Sequence, residues 1–176
     1  MKVDNKFLLE KLISKDSIEN RVSELSEEIS LYFPMEDDFV AICVLNGSLF
    51  FYVDLIKGIK QDTILDTIKV KSYNKNKRKN IKVLNDTNID LKGKNVLIVE
   101  DIIDTGQTIN FLYDYILKKS PKDIKIVSFL FKPSVYKFKT NIDWVGFEID
   151  NDFVVGYGLD YHGVYRNKQS VYKIVN

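Results

Sequence analysis

Disulfide chemistry is closed to this chain. Its 176 residues hold one cysteine, Cys43, set inside an apolar run, so no internal bridge can form and no disulfide scaffold is available. A run long enough to cross a membrane is missing, and the first thirty residues lack the charged-then-apolar pattern of a secretory leader. Charge of one sign is missing too: 26 Lys+Arg against 25 Asp+Glu leave +1, so no global field draws the protein to nucleic acid or to anionic lipid. There is no internal repeat and no low-complexity linker. The expectation is a cytoplasmic enzyme or binding domain with neither a nucleic-acid nor a membrane partner. Its length suits one compact domain over residues 1–176, because folding at this size removes roughly 70 % of the extended chain's surface, and 45 % apolar residues supply a core.

The patterning that is present predicts an α/β architecture. Over residues 14–32, Ile18, Val22, Leu25 and Ile29 recur at helical spacing, with Ser14 placed as N-cap and Ile13 and Ile18 as a hydrophobic staple. Phe39-Val40-Ala41-Ile42-Cys43-Val44-Leu45 is a short continuous apolar run, the form taken by a strand covered on both faces. Asn46-Gly47-Ser48 breaks it and residues 49–59 resume as helix. The grammar repeats at Val96-Leu97-Ile98-Val99, a polar turn, and Ile109, Leu112, Tyr113, Ile116 and Leu117, ended by Ser120-Pro121. A third run at 124–131 follows. Strand, helix and strand in this order predict right-handed crossovers and a doubly wound, mostly parallel sheet flanked by helices. The C-terminal third, about residues 141–176, reads as short strands around Trp144, Phe153 and Val171 that form a subsidiary flap. Residues 71–80 are polar and basic without periodicity; they fit either a solvated hairpin tip or a mobile lid over an anionic substrate.

Chemistry concentrates where the Val96 strand ends, at Glu100-Asp101-Ile102-Ile103-Asp104-Thr105-Gly106-Gln107-Thr108. Adjacent carboxylates at the C-terminal end of a buried strand are costly unless a cation or hydrogen-bond donors meet them. The turn from Asp104 to Thr108 has the opposite character, with backbone N–H groups gathered at a helix N-terminus, a glycine that permits close approach, and threonine hydroxyls as further donors. Acids beside a phosphate cup suit one ligand, a sugar phosphate. The three spaced glycines of a dinucleotide fold and the Gly-Lys-Ser/Thr ending of a nucleoside triphosphate loop are both absent.

This segment resembles the signature of type I phosphoribosyltransferases, and its flanks are similar to the hypoxanthine-guanine phosphoribosyltransferase family over nearly the whole chain. Leu45-Asn46-Gly47-Ser48 resembles the pyrophosphate loop, Lys71-Ser72-Tyr73 the start of the catalytic lid, and Phe131-Lys132-Pro133 the strand end bearing a purine-reading lysine. Phe153-Val154-Val155-Gly156-Tyr157-Gly158-Leu159-Asp160-Tyr161, followed by Arg166, is similar to the purine and pyrophosphate segment. The resemblance implies a type I phosphoribosyltransferase fold, with a hood built from the C-terminal third and the N-terminal segment. It implies transfer of phosphoribosyl from phosphoribosyl pyrophosphate to hypoxanthine or guanine with release of pyrophosphate, and a homodimer or homotetramer. A xanthine-preferring enzyme and a non-catalytic, nucleotide-sensing or RNA-binding regulator of the same fold are the alternatives.

The same resemblance assigns roles. Glu100 and Asp101 hold ribose hydroxyls, directly or through Mg²⁺, and Asp160 holds a second ion. Asp104 is the general base at purine N7; read in isolation it is a helix N-cap. Thr105, Gly106, Gln107 and Thr108 take the 5′-phosphate. Asn46, Gly47, Ser72, Tyr73 and Arg166 meet the pyrophosphate. Lys132 donates to the 6-oxo group, Phe153 stacks on the base, and the Val154 carbonyl accepts from N1–H. His162, the single histidine, matches no motif position. One departure stands out: Asn46 occupies a place where the family commonly has Lys or Arg. Asn46→Lys is therefore expected to lower the KM for phosphoribosyl pyrophosphate in steady-state assays, and an unchanged or raised KM contradicts that reading.

Overall fold

A computed structural model describes residues 8–35, 39–75 and 78–175, the side chains of 72–75 and 78–80 excepted. The elements in chain order are β1 (Leu8–Ile13), α1 (Lys15–Tyr32), β2 (Phe39–Leu45), α2 (Leu49–Gly58), β3 (Thr63–Lys75), β4 (Arg78–Asn85), β5 (Asn95–Ile103), α3 (Gln107–Leu117), β6 (Asp123–Phe131), a 3-10 turn at Pro133–Val135, β7 (Trp144–Glu148), β8 (Val154–Val155) and β9 (Val171–Val175). The start of α1 is set locally. Ser14 Oγ accepts the Ser17 N–H at 3.1 Å, and Ile13 and Ile18 enter the same buried cluster, as a cap flanked by a staple requires.

Six strands lie in the order β4-β3-β2-β5-β6-β7. Every pairing is parallel except β3 with β4. Alternation along β2 divides the core. Phe39, Ala41 and Cys43 join Leu25, Ile29, Phe51 and Leu55 on the face covered by α1 and α2. Val40, Ile42 and Val44 join Ile109, Leu112 and Ile116 on the face covered by α3. Both faces of β2 are thus apolar, which is why its sequence shows no alternation. Each such fully buried aliphatic side chain contributes about 1.5–3 kcal/mol.

From β2 the chain winds outward to β3, and from β5 outward in the other direction to β6 and β7. The order therefore reverses between β2 and β5, which makes their carboxyl ends the switch point where open α/β sheets bind ligands. Pairing of β2 with β5 stops at Cys43 and Val99. β5 continues along β6 to Ile103 opposite Phe131, so Glu100 to Ile103 project past the β2 pairing.

A second sheet, β1-β9-β8, is antiparallel and joins the N-terminal segment to the C-terminal one, as expected for the hood. The expected flap strand at Trp144 is corrected: β7 is the parallel edge strand of the main sheet beside β6. Trp144 meets Tyr32 edge-on at 5.4 Å, so this run extends the main sheet under α1. Its apolar content fits either sheet, and only the choice of neighbour, a non-local matter, decides. Residues 71–75 and 78–80 of that stretch pair in the β3–β4 hairpin, with Ser72 opposite Ile81 and Tyr73 opposite Asn80. Residues 76 and 77 lie outside the described residues, as do the side chains of Ser72 and Tyr73, so their expected contacts do too. Among the described residues no helix is long and apolar enough to span a membrane.

Candidate active site

Two hollows open side by side at the switch point. The smaller, about 80 Å³, is walled by Glu100, Ile102, Ile103 and the whole turn Asp104 to Ile109. The larger, about 270 Å³, is walled by Asp101, Ile102, Asp104, Lys132, Asp152, Phe153, Val154, Leu159 and Asp160. Ile102 and Asp104 border both. Residues from four separated stretches of sequence therefore meet around Asp104.

The turn is built by Gly106, whose φ of +86° no L side chain adopts easily. A Cβ at this glycine would also fall 2.4 Å from the Tyr136 ring. Gly106 is the N-cap of α3 and makes no side-chain capping bond, so the first-turn N–H groups are left for a ligand or water. Asp104 is exposed and takes no part in capping. The isolated reading of Asp104 as an N-cap is thereby excluded.

The acid pair sits deeper. Glu100 is buried, and its Oε2 has no hydrogen-bond partner. Burial, followed by the charge of Asp101, lifts its carboxyl well above the ordinary range. Asp101 is raised as well: burial outweighs hydrogen bonds from Glu100 and from the Ile102 N–H, at 2.9 Å, and the pull of Arg166. Gly47 presses on this pair, since a Cβ there would lie 1.5 Å from Asp101 Oδ2. Asn46 beside it is exposed.

Lys132 is buried at 7 % exposure in the larger hollow, unlike the solvated surface lysine its position after a strand suggests. Its backbone N–H is held by the Ile103 carbonyl at 2.9 Å. Phe153 stands 56 % exposed as one wall, edge-on to Tyr161 at 5.7 Å. Arg166 pairs with Asp160 and donates to the Gly158 carbonyl. The other Asp160 oxygen accepts the Gly163 N–H at 2.7 Å. Both Asp160 oxygens thus have a partner within the loop. His162, at φ +50°, lies in the same turn against Tyr161.

Sequence reading missed three contributors. Tyr136 braces Gly106 from behind, Asp152 enters the larger hollow while paired to Lys173 at 2.8 Å, and Tyr157 donates to Asp54 at 2.7 Å. Only Asp152, next to Phe153, left a local signal. Cys43 packs in the core: its Sγ lies 3.2 Å from Ser48 Oγ and burial pushes the thiol up to about 11.

A mostly parallel α/β sheet with an acid pair and a helix-opening glycine turn at its switch point places the chain among α/β proteins whose sites lie at the carboxyl ends of their strands. Residues 13–162 match the model of the phosphoribosyl transferase domain. The chain is 38 % identical over 168 residues to the hypoxanthine-guanine phosphoribosyltransferase of Aquifex aeolicus, covering 94 % of each chain. It is 42 % identical over 159 residues to that of Bacillus subtilis, covering 89 % and 87 %. Among solved structures, a hypoxanthine-guanine phosphoribosyltransferase from Bacillus anthracis superposes with a TM-score of 0.88 at 38 % identity, over 95 % of this chain and 97 % of that one. A hypoxanthine phosphoribosyltransferase from Staphylococcus aureus gives 0.90 at 31 %, over 94 % and 91 %. The chain belongs to the phosphoribosyltransferase family and has the type I fold.

The raised Glu100 carboxyl has a measurable sign. Below the ordinary glutamate value of 4.5 both folded and unfolded chains hold the proton. Above it the unfolded chain releases the proton while the folded chain keeps it, so stability falls with rising pH until the folded value is passed. Glu100→Gln removes this effect. In melts without divalent cations the variant is expected to exceed the wild type at about pH 8, with the difference shrinking as the pH falls toward 4.5; a difference independent of pH contradicts the assignment.

Proposed function

We propose that the protein transfers the 5-phosphoribosyl group of phosphoribosyl pyrophosphate to hypoxanthine or guanine, giving the nucleoside 5′-monophosphate and pyrophosphate in purine salvage. One observation carries the reading: an amide-lined hollow and a base-sized hollow adjoin, with Asp104 on their shared border. In this reaction the bond from C1′ to the pyrophosphate oxygen breaks with its electron pair, and the bond from purine N9 to C1′ forms. The N7 proton must leave as it does so.

The turn 104–108 takes the 5′-phosphate through first-turn N–H groups and the hydroxyls of Thr105 and Thr108. The phosphate fixes the ribose, so that C1′ is presented to the adjoining hollow. There the base lies against Phe153 and Lys132 donates to the 6-oxo oxygen. A 6-amino group would instead oppose donor to donor, which disfavours adenine. Val154 accepts from N1–H, and Asp104 takes the N7 proton. Glu100 and Asp101 face the developing positive charge on the ribose.

A magnesium ion fits the same pair. Two carboxyls of raised pKa and an orphaned buried oxygen on Glu100 are hard donors in want of a cation. Water and substrate oxygens would complete the coordination of such an ion. When bound it would neutralise pyrophosphate charge. Asn46 and Gly47 offer their loop to the pyrophosphate, and Arg166 adds positive charge beside Asp101. The β3–β4 hairpin, with Ser72 and Tyr73, closes over the substrates and excludes water.

A spectrophotometric assay with each base, phosphoribosyl pyrophosphate and Mg²⁺ tests the reading. Turnover of hypoxanthine and guanine is expected; turnover of xanthine alone or of none contradicts it. Asp104→Asn should lower kcat on the order of 10²-fold or more while nucleotide binding persists, and near wild-type turnover removes Asp104 from the role of base.

A further inference from the structure

The loop 46–48 and the turn 156–160 belong to different halves of the site, one on the pyrophosphate side and one beside the base. They touch directly. Gly158, at φ +97°, has no room for a side chain, since a Cβ would lie 1.9 Å from the Gly47 carbonyl oxygen. Gly47 in turn abuts Asp101. The backbones at Gly158 and Gly47 and the Asp101 carboxylate therefore stack closely with no glycine side chain between them, and a steric contact of this kind has little directionality to hold it in register.

Tyr157 supplies that direction. It sits between Gly156 at φ +99° and Gly158, and itself adopts φ +49°, a left-handed conformation that is unfavourable for a tyrosine. A third glycine would relieve the backbone, so what the turn gains lies in the side chain. The residue is 6 % exposed and its ring packs 4.8 Å from Phe129 on β6. Its hydroxyl donates to Asp54 Oδ2 at 2.7 Å. Asp54 stands on α2, nearly two turns beyond the loop 46–48. That loop is rigidly continuous with the helix: Ser48 Oγ donates to the Val44 carbonyl at 2.7 Å, and the Tyr52 N–H to the Ser48 carbonyl at 2.7 Å. On the other side the turn is locked by the Tyr157 N–H to Lys168 and the Gly158 N–H to Arg166. The hydrogen bond thus ties the turn that carries Asp160 to the helix that begins at the pyrophosphate loop.

We propose that Tyr157 and Asp54 are a positioning pair, which keeps the base-side turn 156–160 in register with the loop 46–48 so that both substrates are presented to each other. The proposal rests on the phosphoribosyl transfer read above. Tyr157→Phe keeps the ring packing and removes only the hydroxyl. It should raise the KM for phosphoribosyl pyrophosphate on the order of 10-fold and leave kcat within about twofold. Asp54→Ala should do the same, and Asp54→Asn, which keeps an acceptor, should restore values near wild type. Adding Asp54→Ala to Tyr157→Phe should change little further, because one bond is lost in both. Hydrogen exchange provides a readout independent of turnover: amides of both 45–49 and 156–161 should exchange faster in Tyr157→Phe. Faster exchange in 156–161 alone, or a lowered melting temperature with unchanged KM, overturns the pair. If the wild type lacks turnover, the functional reading fails separately, and exchange still decides whether the two segments are coupled.

Discussion

Two carboxyl groups at the end of a buried strand, Glu100 and Asp101, are the arrangement on which the rest of the site depends. The sheet buries them because β5 outruns its pairing with β2 and keeps its pairing with β6. Glu100 keeps an unpartnered oxygen there, and the pair is like-charged when ionised. Such a group raises its own proton affinity and disfavours the folded state at neutral pH. The fold tolerates that penalty because two layers of aliphatic side chains, sorted onto opposite faces by alternation along β2 and β5, supply far more. A site that wants positive charge is thus held in place by a core that has none.

Glycine makes the assembly close enough to act as one. Gly47, Gly106 and Gly158 each occupy a place where a methyl group would collide with Asp101, with Tyr136 or with the Gly47 carbonyl. Removing side chains lets backbone amides and carbonyls approach the acids, and it leaves few directional contacts between loops. Arg166 and Tyr157 provide those, by binding the Gly158 carbonyl and Asp54. The small β1-β9-β8 sheet carries Phe153 and Val154 toward the same crevice. Most of its β1 and all of β9 lie outside the 13–162 match to the family model.

Legibility from the sequence followed the range of the interactions. The strands β2 and β5 and helix α1 are written in consecutive residues, since burial on both faces or on one helical stripe imposes a local pattern. The cup at Asp104 to Thr108 was legible for the same reason, as the chemistry is contiguous. Trp144 to Glu148 misled because its apolar content does not say which sheet it joins; β6 decides that. The burial of Lys132 was likewise invisible, because its walls come from residues 101–104 and 152–160. Tyr157 and Asp54, 103 residues apart, leave no mark in either neighbourhood.

The most direct test is a crystal structure with inosine 5′-monophosphate bound. The 5′-phosphate should rest on the amides of residues 105–108, with the purine between Lys132 and Phe153 and Asp104 within hydrogen-bond reach of N7. A nucleotide seated away from the stretch 100–108, or one with its base turned from Lys132, would contradict the account.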